Sequence, residues 1–257
     1  MILAQLNILG FYSVKASRQW DNTANKELHI VFLETNHVPA VQLAVSAGTA
    51  ATIQLYTYLD IAAGDPINMV VTDLTDYVRL NYLGETLTGG DVLTDGYYYM
   101  KITNGGYSYY SDMFAWTSDV TELLKVSAVS SNISHGGYIF DLTNFTYLCY
   151  LNAEKLTPQP ENEEDAETDN GVVSPYYSSL SITRQWKVWG CEHIYLFLLR
   201  LRQFDTNGTV TITWNYIAYT ANDILVEIET DHADGDLLDI SLKIKPPDEV
   251  TKVINTI

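Results

Sequence analysis

The residue types that most often carry chemistry are sparse in this chain and badly spaced for it. The five histidines, His29, His37, His135, His193 and His232, are scattered, and none forms a His-x-x-x-His pair. Cys149 and Cys191 belong to no Cys-x-x-Cys pair, so a zinc site would have to gather ligands from distant segments. Each cysteine lies in an apolar run, FTYLCYL and WGCEHIYLFLL, and reads as a small buried hydrophobe; a single bridge between them is the alternative. The Gly-x-Ser-x-Gly elbow of a serine hydrolase is missing, as are the phosphate loop and Gly-x-Gly-x-x-Gly. Ser134-His135-Gly136-Gly137 is similar to an oxyanion-hole loop, but such a loop needs the missing elbow. Asn132, Asn144 and Asn207 occupy glycosylation sequons, which carry meaning only with export. No catalytic residue, no metal site and no cofactor is expected.

Carboxylates are plentiful. The stretch TPQPENEEDAETDNG carries Glu161, Glu163, Glu164, Asp165, Glu167 and Asp169. Counted from Asp165, positions one, three and five suit a calcium loop. Position six is then Asn170 where glycine is required, and position twelve is Tyr176 where glutamate is required. Asp165, Glu167 and Asp169 remain weak cation-binding candidates within a solvated acidic loop expected over 157–180. A glycosidase needs a facing carboxylate pair, and nothing in the spacing selects one from 32 acidic residues.

Aromatic residues are the other concentration. DGYYYMKITNGGYSYYSDMFAWTSD holds Tyr97, Tyr98, Tyr99, Tyr107, Tyr109 and Tyr110, followed by Phe114 and Trp116. Such rings suit either stacking on sugars or packing a hairpin. Alternation places Tyr97, Tyr99, Lys101 and Thr103 on one face of a strand, with Tyr98, Met100 and Ile102 on the other. Asn104-Gly105-Gly106 tolerates the positive φ of a tight turn. The return strand puts Tyr107, Tyr109 and Ser111 on one face and Tyr110 on the other. Cross-strand aromatic pairs contribute roughly 0.2 to 1 kcal/mol each, enough to fix register without a ligand. Packing is the favoured reading.

The elements around this hairpin are mostly strands. Period-two alternation runs through KELHIVFLET, AVQLAVSAG and TIQLYTYLD. GDPINMVVTDL opens with a Gly-Asp-Pro turn, and strands follow over about 97–103 and 107–116. TSDVTELLKVSAVSS reads as a connector. GGYIFDL, FTYLCYLNAEKL and SITRQWKVWG are strands, and GTVTITWNYIAYT, DILVEIETD and LLDISLKIK close the chain, the last ended by Pro246-Pro247. CEHIYLFLLRLRQFD breaks the pattern: Ile194, Phe197, Leu198, Leu201 and Phe204 fall at helical spacing. The fold class is mainly β, with two tandem β-sandwich or barrel-like domains, the second bearing one short α-helix at about 191–204. The domains are 1–118 and 132–257, joined by a connector at 119–131.

With 14 Lys and Arg against 32 Asp and Glu, the formal net charge is −18. Such a surface repels phosphate backbones, which argues against specific nucleic-acid binding. An acidic face lining a channel would let DNA slide past without sticking. The apolar start MILAQLNILGFYSVKAS has its first lysine, Lys15, after the apolar run, so an ordered strand is expected rather than a signal peptide. The densest apolar patch, 194–201, is too short for a membrane span.

The hairpin resembles a stretch found in structural proteins encoded in the tail region of phages and prophages of Bacteroidetes, close to G-L-Y-Y-L-E-I-S-D-G-x-x-x-W-Y-S-E-V-F. Here it reads G-Y-Y-Y-M-K-I-T-N-G-G-Y-S-Y-Y-S-D-M-F. Gly96, Tyr98, Tyr99, Ile102, Gly105, Tyr110, Ser111 and Phe114 coincide without a gap, and Asn104, Tyr109 and Asp112 are close replacements. The order that follows is similar too: a strand, a Pro- and acid-rich segment, an aromatic strand, a short helix and closing strands, over most of 96–246. Only the hairpin is specific, and residues 1–95 match in style alone. The resemblance implies a virion component of the tail or neck region, made in the cytoplasm of a bacterial host. Its partners would be other copies of itself and other virion proteins, and it brings no catalytic residues. The competing class is a glycan- or receptor-binding β-sandwich module that uses the same tyrosines.

Overall fold

The structure is a computed structural model. It describes residues 1–5, 7, 9–13, 30–86, 94–130, 134–135, 140–141, 146–169, 172–190, 192–205, 208–220, 223–231, 238–245 and 251–253. The chain is mainly β, as its alternation predicts. The first strands are β1 (Ile2–Gln5), β2 (Phe11–Tyr12), β3 (Val31–Glu34), β4 (His37–Val38), β5 (Val41–Val45), β6 (Ala51–Thr57), β7 (Ala62–Asn68), β8 (Val70–Leu74), β9 (Tyr77–Tyr82) and β10 (Glu85–Thr86). The hairpin region gives β11 (Gly96–Asn104), β12 (Tyr107–Ser111) and β13 (Phe114–Thr117). Next come β14 (Leu124–Ser130), β15 (Ser134–His135), β16 (Phe140–Asp141), β17 (Thr146–Leu151), β18 (Ala153–Lys155), β19 (Gln159–Asp169) and β20 (Val172–Gly190). Helix α1 (Glu192–Asp205) precedes β21 (Gly208–Trp214), β22 (Ile217–Thr220), β23 (Asp223–Asp231), β24 (Leu238–Lys245) and β25 (Thr251–Val253).

Among the described residues three larger sheets and two two-stranded ones, β10-β4 and β15-β16, organise these strands. A four-stranded sheet runs β1-β5-β9-β8. An eleven-stranded sheet follows the path β2-β12-β11-β13-β3-β17-β14-β21-β22, with β6 and β7 branching from β11. A six-stranded sheet has β18-β20-β24-β23 as its path, with β19 and β25 paired to β20. Inward residues of the three larger sheets join one apolar cluster: Leu43 and Leu80, Ile53 and Met100, Val126 and Ile212, Trp186 and Ile240. Helix α1 lays Ile194, Phe197, Leu198 and Leu201 into that cluster, and Phe197 stands 5.7 Å from Tyr147. Among the described residues no helix is long and apolar enough to cross a membrane.

Several elements differ from the expectation. Leu124–Ser130, expected within the connector, is a strand paired to β17 on one edge and β21 on the other. Its alternation of Leu124, Val126 and Ala128, all fully buried, explains the pairing. Strand β3 of the first half pairs with β17 of the second, so the expected boundary falls within a shared sheet. The Gly64-Asp65-Pro66 segment is part of β7, not a turn. There Gly64 has φ +77°, the register with β6 shifts between Ile53 and Leu55, and among the described residues β7 pairs with β6 alone. An edge strand with a bulge accommodates a proline that has no N–H to donate.

GTVTITWNYIAYT is two strands about a two-residue turn at Asn215 and Tyr216, both with positive φ. The usual glycine signal of such a turn is absent. The acidic segment expected as a loop is strand β19, paired through eleven residues with β20. Opposite Glu161, Glu163, Asp165 and Glu167 stand Ser181, Ser179, Tyr177 and Ser174. No like charge faces these carboxylates across the ladder, so the charge run does not prevent pairing. Strand β24 ends before Pro246, as expected, but β25 follows and pairs with β20.

Candidate assembly surface

Strand β11 is the centre of the aromatic region. It pairs with β6 along one edge and with β12 and then β13 along the other. Gly105 and Gly106, at φ +54° and +88°, make the two-residue turn into β12. Tyr98, Met100 and Ile102 point into the core, as alternation predicts, and Tyr109 joins them opposite Ile102. The Tyr98 ring lies 4.5 Å from Trp116 and 6.3 Å from Phe114, all three buried. The Trp116 indole N–H donates to the His37 carbonyl at 2.9 Å. These rings pack the hairpin and have no face left for a sugar.

The opposite face carries a second group. Tyr99 stands across from Tyr56, with the rings stacked at 5.4 Å, and Tyr110 packs at 6.3 Å from Tyr99. The Lys101 ammonium sits 5.9 Å from the Tyr56 ring and 5.8 Å from Tyr110. Tyr97 is half-buried, and Tyr107, beside the turn, is exposed.

The return strand expected over 107–116 breaks at Asp112 and Met113, where pairing to β11 passes from β12 to β13. The break is filled by side chains. The Met100 N–H donates to the Ser111 hydroxyl at 2.8 Å, and that hydroxyl donates to the Asp112 carbonyl at 2.6 Å. Asp112, itself buried, donates its N–H to the Gly10 carbonyl at 2.7 Å and accepts the Gly10 N–H on its carboxylate at 3.0 Å. The N-terminal segment is thereby fixed to the hairpin. At the other end, Asp95 accepts from the Thr35 hydroxyl at 2.6 Å and from the Ser118 N–H and hydroxyl at 2.9 and 2.7 Å. These bonds hold the Asp95 carboxyl below its ordinary value.

The hairpin also braces an exposed apolar loop that sequence reasoning did not single out. Tyr58, Leu59 and Ile61, between β6 and β7, are more than half exposed, at 55%, 63% and 61%. The loop is tied down from within: Asp60 N–H donates to the Thr57 carbonyl at 3.0 Å, and Thr57 N–H to the Ile61 carbonyl at 2.9 Å. Asp60, at φ +66°, accepts the Tyr99 hydroxyl at 2.9 Å. Burial, then this bond to Asp60, pushes the Tyr99 phenol above its ordinary value. The available signal was an unbroken Tyr58-Leu59 pair at a strand end, where turns are ordinarily polar.

The second notable feature is the β19–β20 ribbon. Arg184–Gly190 of β20 lies in the sheet beside β24, while the part before it pairs with β19 and, at Ser178–Leu180, with β25. Eleven residues in β19 make a ribbon roughly 35 Å long. Asp165, Glu167 and Asp169 lie along β19, but their side chains fall outside the described part of the structure. Among the described residues no three His, Cys, Asp or Glu side chains converge to hold a metal. Cys149 is a free, buried thiol, pushed upward by desolvation, and Cys191 lies outside the described residues. His29 and His232 lie outside them as well. No protein family, no curated protein and no solved structure matches this chain.

Proposed function

We propose that this chain is a non-enzymatic structural subunit of a phage virion, placed in the tail or neck region, that works by docking against neighbouring copies and other virion proteins. The observation that carries this reading is the β19–β20 ribbon, eleven register pairs long and beyond the β18-β20-β24-β23 sheet for most of its length. Among the described residues β25 adds a third strand at Ser178–Leu180, and the rest of the ribbon is two-stranded, which is marginally stable alone in water, so one this long calls for a surface to lie on. Its six carboxylates favour a basic face on a neighbour. The braced apolar tip at Tyr58, Leu59 and Ile61 adds a second docking element, and the hairpin that resembles phage tail proteins is the part that braces it.

Solution mass tests the reading. The full chain is measured by analytical ultracentrifugation from low to high micromolar concentration, beside a variant with Pro160–Ser181 replaced by a Gly-Asn turn. Assembly above the monomer, weakened when the ribbon is shortened, is the expected result. A full chain that stays monomeric throughout and captures no other protein of the same virion in a co-expression pull-down overturns it.

A further inference from the structure

A cleft of about 290 Å³ opens on the eleven-stranded sheet, away from the hairpin tyrosines. Its floor is a row set by register: Tyr150 on β17, Lys125 on β14 and Thr213 on β21 stand side by side. Glu34, at the end of β3, Val120, Thr121, Leu123, Asn215 and Tyr216 complete the lining. The Tyr150 hydroxyl donates to the Glu34 carboxylate. The Lys125 ammonium lies 5.5 Å from the Tyr150 ring.

Tyr216 is the unusual member. It has φ +65° and follows Asn215 at φ +47°, so the pair makes the mirror-image turn whose second position favours glycine. A bulky side chain there costs stability through the clash of its Cβ with the backbone. The ring gains no burial in return, being 85% exposed. A large ring kept in a strained, solvated position at the mouth of a cleft points to a ligand.

The lining limits what that ligand is. Aromatic faces, the aliphatic Val120 and Leu123, a carboxylate, an ammonium and hydroxyls suit a small molecule with apolar C–H faces and many hydroxyls. A phosphate-bearing ligand would meet Glu34 and the −18 charge of the whole chain. The volume sits at the small end for ligand sites. We propose that this cleft binds a neutral saccharide of one or two rings, stacked on Tyr216 and hydrogen-bonded through Glu34 and Lys125. This goes beyond the assembly role and stands independently of it.

The test is saturation-transfer NMR on the full chain with glucose, galactose, N-acetylglucosamine and lactose, each at millimolar concentration. Transfer to the ring C–H protons of at least one sugar is expected. Tyr216→Gly should weaken that binding about tenfold while raising the melting temperature, because it removes the ring and the strain together. Tyr216→Phe should keep the binding. Absence of transfer from all four sugars overturns the proposal. So does binding that survives Tyr216→Gly, or that is lost in Tyr107→Ala instead, which would place the sugar on the hairpin.

Discussion

The Ser111 hydroxyl takes the backbone N–H of Met100 at 2.8 Å, at the point where β11 exchanges one strand partner for the next. Residues 101–104 of β11 pair with β12 and residues 96–98 with β13, which leaves the Met100 N–H without a ladder partner on that edge. Met100 is fully buried, so water is no substitute. Ser111→Ala should therefore destabilise the protein by about 1 to 3 kcal/mol, the cost of an unsatisfied buried donor. Ser111→Thr, which keeps the hydroxyl, should lose less. Urea midpoints of the two variants decide it, and equal losses would contradict the role given to the hydroxyl.

Gly84 stands at φ +80° just before β10. A Cβ there would lie 2.8 Å from the Val38 carbonyl oxygen and 2.9 Å from the Ala40 nitrogen. Both contacts are backbone, so neither yields as a side chain would. Gly84→Ala should cost about 2 kcal/mol or more, from the left-handed conformation and the clash together. Gly64 has a similar φ of +77° but open space around it, so Gly64→Ala isolates the conformational part and should cost less. A thermal melt of each variant orders them.

His37 sets a pH dependence. Burial holds its imidazole below the ordinary value, with Glu34 opposing, and its buried Nε2 has no partner among the described residues. The folded chain therefore keeps His37 neutral where the unfolded chain, titrating near 6.5, already binds a proton. In that interval the unfolded state holds more protons, so stability rises with pH. The contribution is complete above about pH 6.5 and is lost as pH falls through the lower folded value. His37→Gln should flatten the fall of the melting temperature below about pH 6.5. Parallel curves for the two proteins would remove His37 from the account.

Much of the framework is legible in the sequence because alternation and turn chemistry act locally. Tyr98, Met100 and Ile102 face the core as their spacing requires, and the helix at Glu192–Asp205 follows from Ile194, Phe197, Leu198 and Leu201. What is missed depends on partners distant in sequence. LKVSAVS looks like a linker until β17 and β21 flank it. The Glu161–Asp169 run looks like a loop until its neutral partner strand is known. Tyr216 was invisible for a different reason, since a tight turn with Asn-Tyr at its centre lacks the glycine by which such turns are found. The cleft brings together Glu34, Lys125, Tyr150 and Thr213 from four strands, and no local pattern encodes that meeting.

Two buried tryptophans give a comparison that isolates one hydrogen bond. Trp116 and Trp186 are 1% and 0% exposed, so replacing either by phenylalanine removes similar buried volume. They differ in the indole N–H. That of Trp116 donates to the His37 carbonyl at 2.9 Å, whereas that of Trp186 is buried with no partner among the described residues. Trp116→Phe breaks a bond and strands a carbonyl, while Trp186→Phe removes a donor already unsatisfied. Trp116→Phe should be the more destabilising by about 1 to 3 kcal/mol. Urea unfolding of both variants under one condition measures the gap. A Trp186→Phe loss as large as that of Trp116→Phe would mean that packing, not the indole bond to His37, sets the worth of both rings.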